Sequence, residues 1–286
     1  MAGTPAAGPA TRAEFPLHAV GCSPLRAAEG GGRHVGMCHD HDSRPPAPPT
    51  VGPVAERGTL TLTAADGTRF SAAYAAPATA PRAGVVVLPD IRGLHPYYVA
   101  LSERFAEAGL AAVAVDWFGR TAGIAENGTR EEDFDWQAHI PQTTPAGVDA
   151  DTAAGIEYLR SRTDPALPVV TVGFCFGGSH AWRQSAGDLD LAGSAGFYGR
   201  PSLVGEAADG ARKPVVMIIA GADSVTPVAE QRQLAARMRA AGADVDEVVY
   251  DGAPHSFFDR SSAEWAEACQ DAWRHVLALT DRVSRS

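Results

Sequence analysis

The sequence predicts an α/β fold in which a mainly parallel central sheet carries helices on both faces. From residue 85 to the C-terminus, short apolar runs alternate with helical segments, which is typical of parallel strands joined by crossover helices. A β-hairpin precedes this alternation, because Asp66-Gly67 is a strong turn signal between two strand-like segments. No internal repeat is found, so residues 57–286 are predicted to form one domain.

The elements follow in order along the chain. The hairpin contains Leu60–Leu62 and Arg69–Tyr74. Strands are predicted at 85–88, 111–115, 169–172, 191–198, 215–220 and 246–250, of which 85–88, 169–172 and 215–220 are expected to be buried. Helices are predicted at 96–108, 149–159, from 177 onward, 228–241 and 263–279. Residues 119–146 show no clear period and are predicted to form a long excursion at the sheet edge, of the kind that often serves as a lid or contacts substrate.

The N-terminal stretch differs from the rest of the chain. Residues 1–56 are rich in Ala, Gly and Pro without a hydrophobic period, which predicts a disordered or loosely packed tail. Residues 38–42 (Cys-His-Asp-His-Asp) are metal-type ligands, but consecutive residues converge poorly on one ion, so a solvated tail is favoured over a metal site. Met37 is an alternative start, in which case residues 1–36 would not belong to the native protein.

Composition and charge narrow the classes of partner. The formal net charge of -10 argues against nucleic acid and anionic membranes. The 4 cysteines lie far apart, which favours a reducing compartment over a disulfide scaffold. No apolar run approaches the ~20 residues that cross a bilayer, and no N-terminal segment resembles a secretory signal. We therefore expect a cytoplasmic protein that acts on a small molecule; its oligomeric state stays open, with a monomer favoured.

The most specific motif lies between a predicted strand and a predicted helix. Gly173-x-Cys175-x-Gly177 matches the nucleophile elbow of the α/β-hydrolases, with Cys in the place usually held by Ser. Glycine on either side lets strand and helix pass closely around a strained nucleophile. The positive end of the following helix favours the thiolate of Cys175. A free cysteine can also be merely a small buried hydrophobe, but this surrounding pattern favours a nucleophile.

Two more candidate residues follow later strands. Ligands of open α/β sheets bind beyond the carboxyl ends of the strands, and Asp223 and His255 both come directly after predicted strands. With Cys175 they give the chain order nucleophile, acid, base, which is that of the α/β-hydrolase triad. We predict that His255 takes or holds the Cys175 proton and that Asp223 fixes the His255 tautomer.

Each of these residues also has a structural interpretation. Asp223 could cap the helix that follows it, and His255 could be a surface histidine; their coincidence with the elbow favours the triad. The backbone N–H groups of Ile91, in the loop after the first buried strand, and of Phe176, after the nucleophile, are the candidate oxyanion donors.

Four segments of the chain resemble the dienelactone hydrolase family. They are residues 88–93, 172–178, 220–223 and 255–260, within a similarity that covers about residues 57–280. The resemblance implies a single α/β-hydrolase domain without a large cap, the triad named above, and no cofactor or metal. It also implies hydrolysis of a lactone or activated carboxylic ester through an acyl-cysteine.

The resemblance adds three charged candidates. In this family a glutamate lies beside the resting thiol and helps its deprotonation. The matching position here is Asp90, so Asp90 is a candidate for activating the thiol, although its side chain is one methylene shorter. Arg260 and Arg130 resemble the arginines that bind the substrate carboxylate, although Arg260 falls one residue further along the chain than in the family pattern.

The preferred hypothesis is therefore a cysteine hydrolase of lactones or activated esters. One alternative is an esterase or peptidase that acts on another acyl substrate. Another is a non-catalytic, redox-responsive protein that binds a small acid, because a reactive thiol also suits reversible oxidation.

Overall fold

The computed structural model describes residues 44–285. The strands are β1 (Val54–Thr63), β2 (Arg69–Pro77), β3 (Gly84–Leu88), β4 (Ala111–Val115), β5 (Val169–Phe174), β6 (Gly193–Phe197), β7 (Val215–Ala220) and β8 (Val245–Tyr250). The helices are α1 (Pro96–Glu107), α2 (Gly119–Ala122), α3 (Trp136–His139), α4 (Pro145–Arg162), α5 (Phe176–Gln184), α6 (Pro201–Val204), α7 (Val228–Ala241) and α8 (Ala266–Val283), with 3₁₀ helices at Ile140–Gln142 and Gly205–Gly210. The residue 38–42 run and the alternative start at Met37 lie outside the described residues.

The strands form one sheet in the order β1-β2-β4-β3-β5-β6-β7-β8. The first two strands pair antiparallel and β2 pairs antiparallel with β4, whereas all pairs from β4 to β8 are parallel. The carboxyl ends of β3 to β8 therefore meet at one edge of the sheet. This topology confirms the predicted mainly parallel α/β sheet.

Helices cover both faces because successive strand residues point to opposite sides. In β3, Val85 and Val87 belong to the core that includes α1 and α8, where the rings of Phe105 and Trp273 lie 4.9 Å apart. Val86 belongs to the opposite core, which includes α4 and α5. Helix α7 packs on the same side against β7. Within residues 44–285, no helix combines the length and the apolar character needed to cross a bilayer.

Regular structure begins earlier in the chain than the sequence predicts. Strand β1 begins at Val54 rather than near Leu60. Because β1 lies at the edge of the sheet, most of its residues are exposed, and its first half lacks the apolar pattern by which a strand is recognised in the sequence. Before it, the carbonyl groups of residues 45–47 accept hydrogen bonds from Arg104, Trp273 and Gln270 at 2.8–3.3 Å. Residues 44–56 therefore pack on the domain, and the predicted boundary at residue 57 falls within its packed part.

The predicted excursion at residues 119–146 is only partly irregular. It contains α2, α3 and one 3₁₀ helix, and α4 already begins at Pro145. These elements are short, which agrees with the expected lack of a large cap domain. An aromatic contact holds the excursion to the end of β4, since the Phe134 ring lies 5.0 Å from Phe118 in a tilted arrangement. Within the excursion, Phe134 stacks on His139 at 5.2 Å.

Candidate active site

Cys175 occupies the bend between β5 and α5. Its backbone has φ 52° and ψ −109°, a strained conformation for a residue other than glycine. The Cys175 N–H donates to the Phe197 carbonyl at 3.0 Å, and its carbonyl accepts from the Ser179 N–H and hydroxyl at 3.1 and 3.0 Å. The bend is therefore fixed by hydrogen bonds from both sides, and the thiol itself is partly exposed.

The two glycines of the motif are required by close backbone approach. A Cβ atom at Gly173 would lie 2.1 Å from the Gly177 carbonyl oxygen, and one at Gly177 would lie 2.2 Å from the Leu88 carbonyl oxygen. These obstacles are backbone atoms, which cannot rotate away. The spacing of the motif thus follows from packing of the helix start against β3 and β5.

We expect Gly177→Ala to destabilise the protein by about 3 kcal/mol or more, because the added methyl overpacks rigid backbone. The shift in the midpoint of urea-induced unfolding, at an unchanged m-value, measures this loss of stability. Gly187→Ala is the matched control, since no atom lies within 4 Å of the added Cβ there. Equal midpoints for the two variants would contradict the packing explanation.

Asp223 and His255 lie in contact at the carboxyl edge of the sheet. His255 Nδ1 and Asp223 Oδ2 are 2.8 Å apart, and the Asp223 side chain is fully buried. The other carboxylate oxygen, Oδ1, accepts from the Val225 and Thr226 N–H groups at 2.7 and 3.0 Å. One oxygen therefore organises the loop after β7 while the other binds the histidine. Asp223 does not cap α7, because that helix begins at Val228 after Pro227 and has no side-chain cap.

His255 also interacts with Cys175. Burial alone would lower the pKa of His255, but hydrogen bonds to Asp223 and Cys175 and the charges of both partners raise it to about 9. The structure thus brings the three predicted triad residues together and favours the imidazolium form of His255 near neutral pH. The Tyr198 ring packs against the imidazole with a centroid separation of 4.9 Å.

The two candidate oxyanion donors lie in different loops of the same edge. Within residues 44–285, neither the Ile91 nor the Phe176 N–H donates a hydrogen bond to another protein group. Phe176 is the first residue of α5, where helical N–H groups lack intrahelical acceptors. Ile91 lies in a turn that the Gly93 N–H closes on the Asp90 carbonyl at 3.1 Å. The oxyanion-binding role of both N–H groups stays a prediction.

Asp90 makes an ion pair that the sequence did not predict. Both of its carboxylate oxygens accept from Arg92, with Nη2 at 2.9 Å from Oδ2 and Nε at 3.0 Å from Oδ1. Arg92 Nη2 also donates to Asp259 at 2.5 Å. The proposed action of Asp90 on the Cys175 thiol stays a prediction.

The predicted carboxylate-binding arginines have different surroundings. Arg130 is buried, with Nε 2.8 Å from Asp116 Oδ2, Nη2 2.5 Å from the Gly123 carbonyl and its guanidinium over the Phe134 ring at 4.8 Å. These contacts anchor the excursion to the end of β4, and the substrate-binding role of Arg130 stays a prediction. Arg260 lies exposed in the segment after His255, where its role stays a prediction.

The remaining histidines near this edge have structural surroundings. Burial and the nearby Arg183 lower the pKa of His180 to about 3, so its ring is neutral beside Phe176. His95 caps α1 and lies 3.1 Å from Glu132. Within the part of the chain that the structure describes, no group of three or more His, Cys, Asp or Glu residues could hold a metal ion.

Comparisons with known proteins agree with this fold. The dienelactone hydrolase family model matches residues 70–284. A "putative carboxymethylenebutenolidase" of Saccharolobus solfataricus is 26% identical over 253 residues, which cover 77% of this chain and 96% of that protein. A protein of the same name from Methylorubrum extorquens is 28% identical over 207 residues, covering 67% and 69% of the two chains.

Solved structures share the fold at lower identity. The crystal structure of a "putative dienelactone hydrolase" from Klebsiella pneumoniae has a TM-score of 0.67 at 23% identity and covers 79% of this chain and 99% of its own. A dienelactone hydrolase from Anabaena variabilis has a TM-score of 0.60 at 17% identity, covering 76% and 95%. Because the family match spans most of the sequence, the chain belongs to the dienelactone hydrolase family and is a hydrolase of the lactone or ester type.

Proposed function

We propose that the enzyme hydrolyses a lactone or activated carboxylic ester through an acyl-Cys175 intermediate, with His255 as proton carrier and Asp223 as the acid that orients it. One observation carries this proposal. At the end of the β5 bend, His255 interacts with Cys175 on one side and lies 2.8 Å from Asp223 on the other. The similarity to proteins named carboxymethylenebutenolidase supports a lactone as substrate.

In the first half-reaction, the Cys175 sulfur attacks the carbonyl carbon while His255 holds the thiol proton. The carbonyl oxygen becomes an oxyanion, which the Ile91 and Phe176 N–H groups stabilise. Collapse of the intermediate breaks the C–O bond, and His255 passes its proton to the departing oxygen. In a lactone that oxygen stays tethered to the acyl group.

In the second half-reaction, His255 takes a proton from water, and the resulting hydroxide attacks the thioester carbonyl of acyl-Cys175. The same two N–H groups stabilise the second oxyanion. Collapse expels the Cys175 thiolate, and the carboxylic acid product leaves. The net change is addition of one water across the ester bond. Throughout, Asp223 binds Nδ1 of His255, so that Nε2 exchanges the proton.

Acid quenching during turnover is expected to trap one acyl group on Cys175. We would mix the enzyme with excess dienelactone or a short aryl ester, quench within milliseconds and locate the adduct by peptide mass spectrometry. A thioester is cleaved by neutral hydroxylamine, which distinguishes it from an oxygen ester. The Cys175→Ala variant should carry no such adduct.

Two other outcomes would favour the alternative functions. Recovery of Cys175 only as sulfenic acid or mixed disulfide, with no acyl adduct during turnover, would support the redox-responsive protein instead. Cleavage of peptide amides in preference to lactones and aryl esters would favour the peptidase alternative.

A further inference from the structure

A buried arginine connects the loop of one oxyanion donor to the loop of the histidine. Arg92 follows β3 and is only 8% exposed. It binds Asp90 in its own loop and, through Nη2 at 2.5 Å, Asp259 in the segment after β8. Asp259 is four residues beyond His255. This guanidinium therefore joins two segments that are far apart in the sequence and that meet at the proposed site.

On its own side, Arg92 fixes the turn that presents Ile91. Asp90 Oδ1 accepts from both the Arg92 backbone N–H at 2.9 Å and the Arg92 Nε at 3.0 Å. The Asp90 N–H in turn donates to the Tyr98 hydroxyl at 3.1 Å. Ile91 lies between the two bonded residues, so the direction of its N–H depends on the ion pair that flanks it.

On the other side, the histidine segment is held without Arg92. At the start of this segment His255 is bound by Asp223, and further along it the Phe258 carbonyl accepts a hydrogen bond from the Tyr97 hydroxyl at 2.9 Å. The segment is thus a fixed frame to which Asp259 belongs. Loss of the bond between Arg92 and Asp259 should free the turn at Ile91 while His255 keeps its place.

The surroundings of Arg92 favour positioning over direct substrate binding. Its guanidinium lies 5.3 Å from the ring centroids of both Tyr97 and Tyr98. Within residues 44–285, its Nη1 atom has no hydrogen-bond partner, but this atom is sealed from solvent. A substrate carboxylate could not reach it without rearrangement of the packed aromatic rings.

We propose that Arg92 is a positioning residue for hydrolysis. Its bond to Asp259 fixes the guanidinium, and its bonds to Asp90 hold the turn so that the Ile91 N–H points at the oxyanion. The inference rests on the proposed function above. Arg92 acts through the peptide that it holds and not on the thiol or the imidazole directly.

Two conservative variants test the proposal. Arg92→Lys keeps the charge but loses the planar fork that binds two carboxylates, and Asp259→Asn keeps the shape but removes the anchoring charge. In each, we expect kcat to fall by about 10- to 100-fold with KM changed by less than about 2-fold, because only transition-state binding is lost.

Two further readouts separate positioning from loss of structure. A substrate-like aldehyde forms a hemithioacetal with Cys175 and places its oxygen where the oxyanion develops, so its inhibition constant should rise by the same factor as kcat falls. Alkylation of Cys175 by iodoacetamide, followed by peptide mass spectrometry, needs no oxyanion donor. Its rate should stay within about 3-fold of wild type.

Asp151→Asn is the matched control, because Asp151 is equally buried and binds an arginine, Arg120, at 2.9 Å outside the proposed site. It should lower stability but leave kcat per folded enzyme unchanged. The proposal is overturned if Arg92→Lys and Asp259→Asn keep wild-type kcat, if alkylation falls as much as turnover, or if Asp151→Asn loses as much activity. Failure of the acyl-cysteine mechanism itself would show separately, as an active Cys175→Ala enzyme.

Discussion

Replacement of Cys175 by alanine is expected to lower kcat for lactone and aryl ester hydrolysis by on the order of 10⁴-fold or more, because no other group can form the covalent intermediate. Initial rates for purified wild type and variant, with folding checked by circular dichroism, measure the loss. Cys175→Ser should recover little activity, since a serine hydroxyl is a much weaker nucleophile near neutral pH than a cysteine sulfur.

Cys269→Ala serves as the thiol control. Cys269 is the other cysteine of the described residues, and burial raises the pKa of its thiol to about 12. It packs in the core near the Phe257 carbonyl and takes no part in the proposed chemistry. This variant should keep wild-type kcat. Equal rates for Cys175→Ala and wild type would remove Cys175 from the mechanism.

Asp223→Asn is expected to lower kcat by about 10²- to 10⁴-fold, because the amide NH2 would face His255 Nδ1 and cannot accept a hydrogen bond from it, which leaves His255 in the wrong tautomer. The substitution preserves shape, and the amide oxygen can still accept from the Val225 and Thr226 N–H groups. The loop after β7 should therefore remain folded. A variant with unchanged kcat would show that Asp223 only organises this loop.

The same variant has a pH signature in stability. The pKa of His255 is raised to about 9 in the fold, so its contribution to stability is complete below the unfolded value near 6.5 and is lost as pH rises through about 9. Asp223→Asn removes one cause of this shift. Urea unfolding should therefore show a larger loss of stability at about pH 6 than at about pH 10.

The fold and the core of the site could be predicted because their signals are local. Asp66-Gly67 predicts the hairpin turn, and the glycines beside Cys175 predict a bend that only residues without a side chain permit. Asp223 and His255 could be placed together without long-range information, because both follow strands of a parallel sheet and the carboxyl ends of such strands share one edge.

The missed features depend on contacts between distant parts of the chain. Arg92 and Asp259 are 167 residues apart, and neither has a neighbouring motif that would identify the other as its partner. The resemblance drew attention to Arg130 and Arg260 as anion-binding groups, whereas the structure gives Arg130 a buried carboxylate partner of its own. Sequence spacing identifies which loop a charge belongs to, but its partner is decided by packing.

The N-terminal segment at residues 44–53 has a practical consequence for work on this protein. Its carbonyl groups satisfy the Trp273 indole N–H and the Gln270 amide, and the Gly52 N–H donates to the end of α1. A truncation at the compositional boundary near residue 57 would remove the hydrogen-bond acceptors of Gln270 and Trp273 in α8 and expose the Trp273 ring to solvent. We expect such a truncated protein to aggregate more readily. Shortened versions should instead retain everything from Arg44 onward, so that these contacts with α1 and α8 are kept.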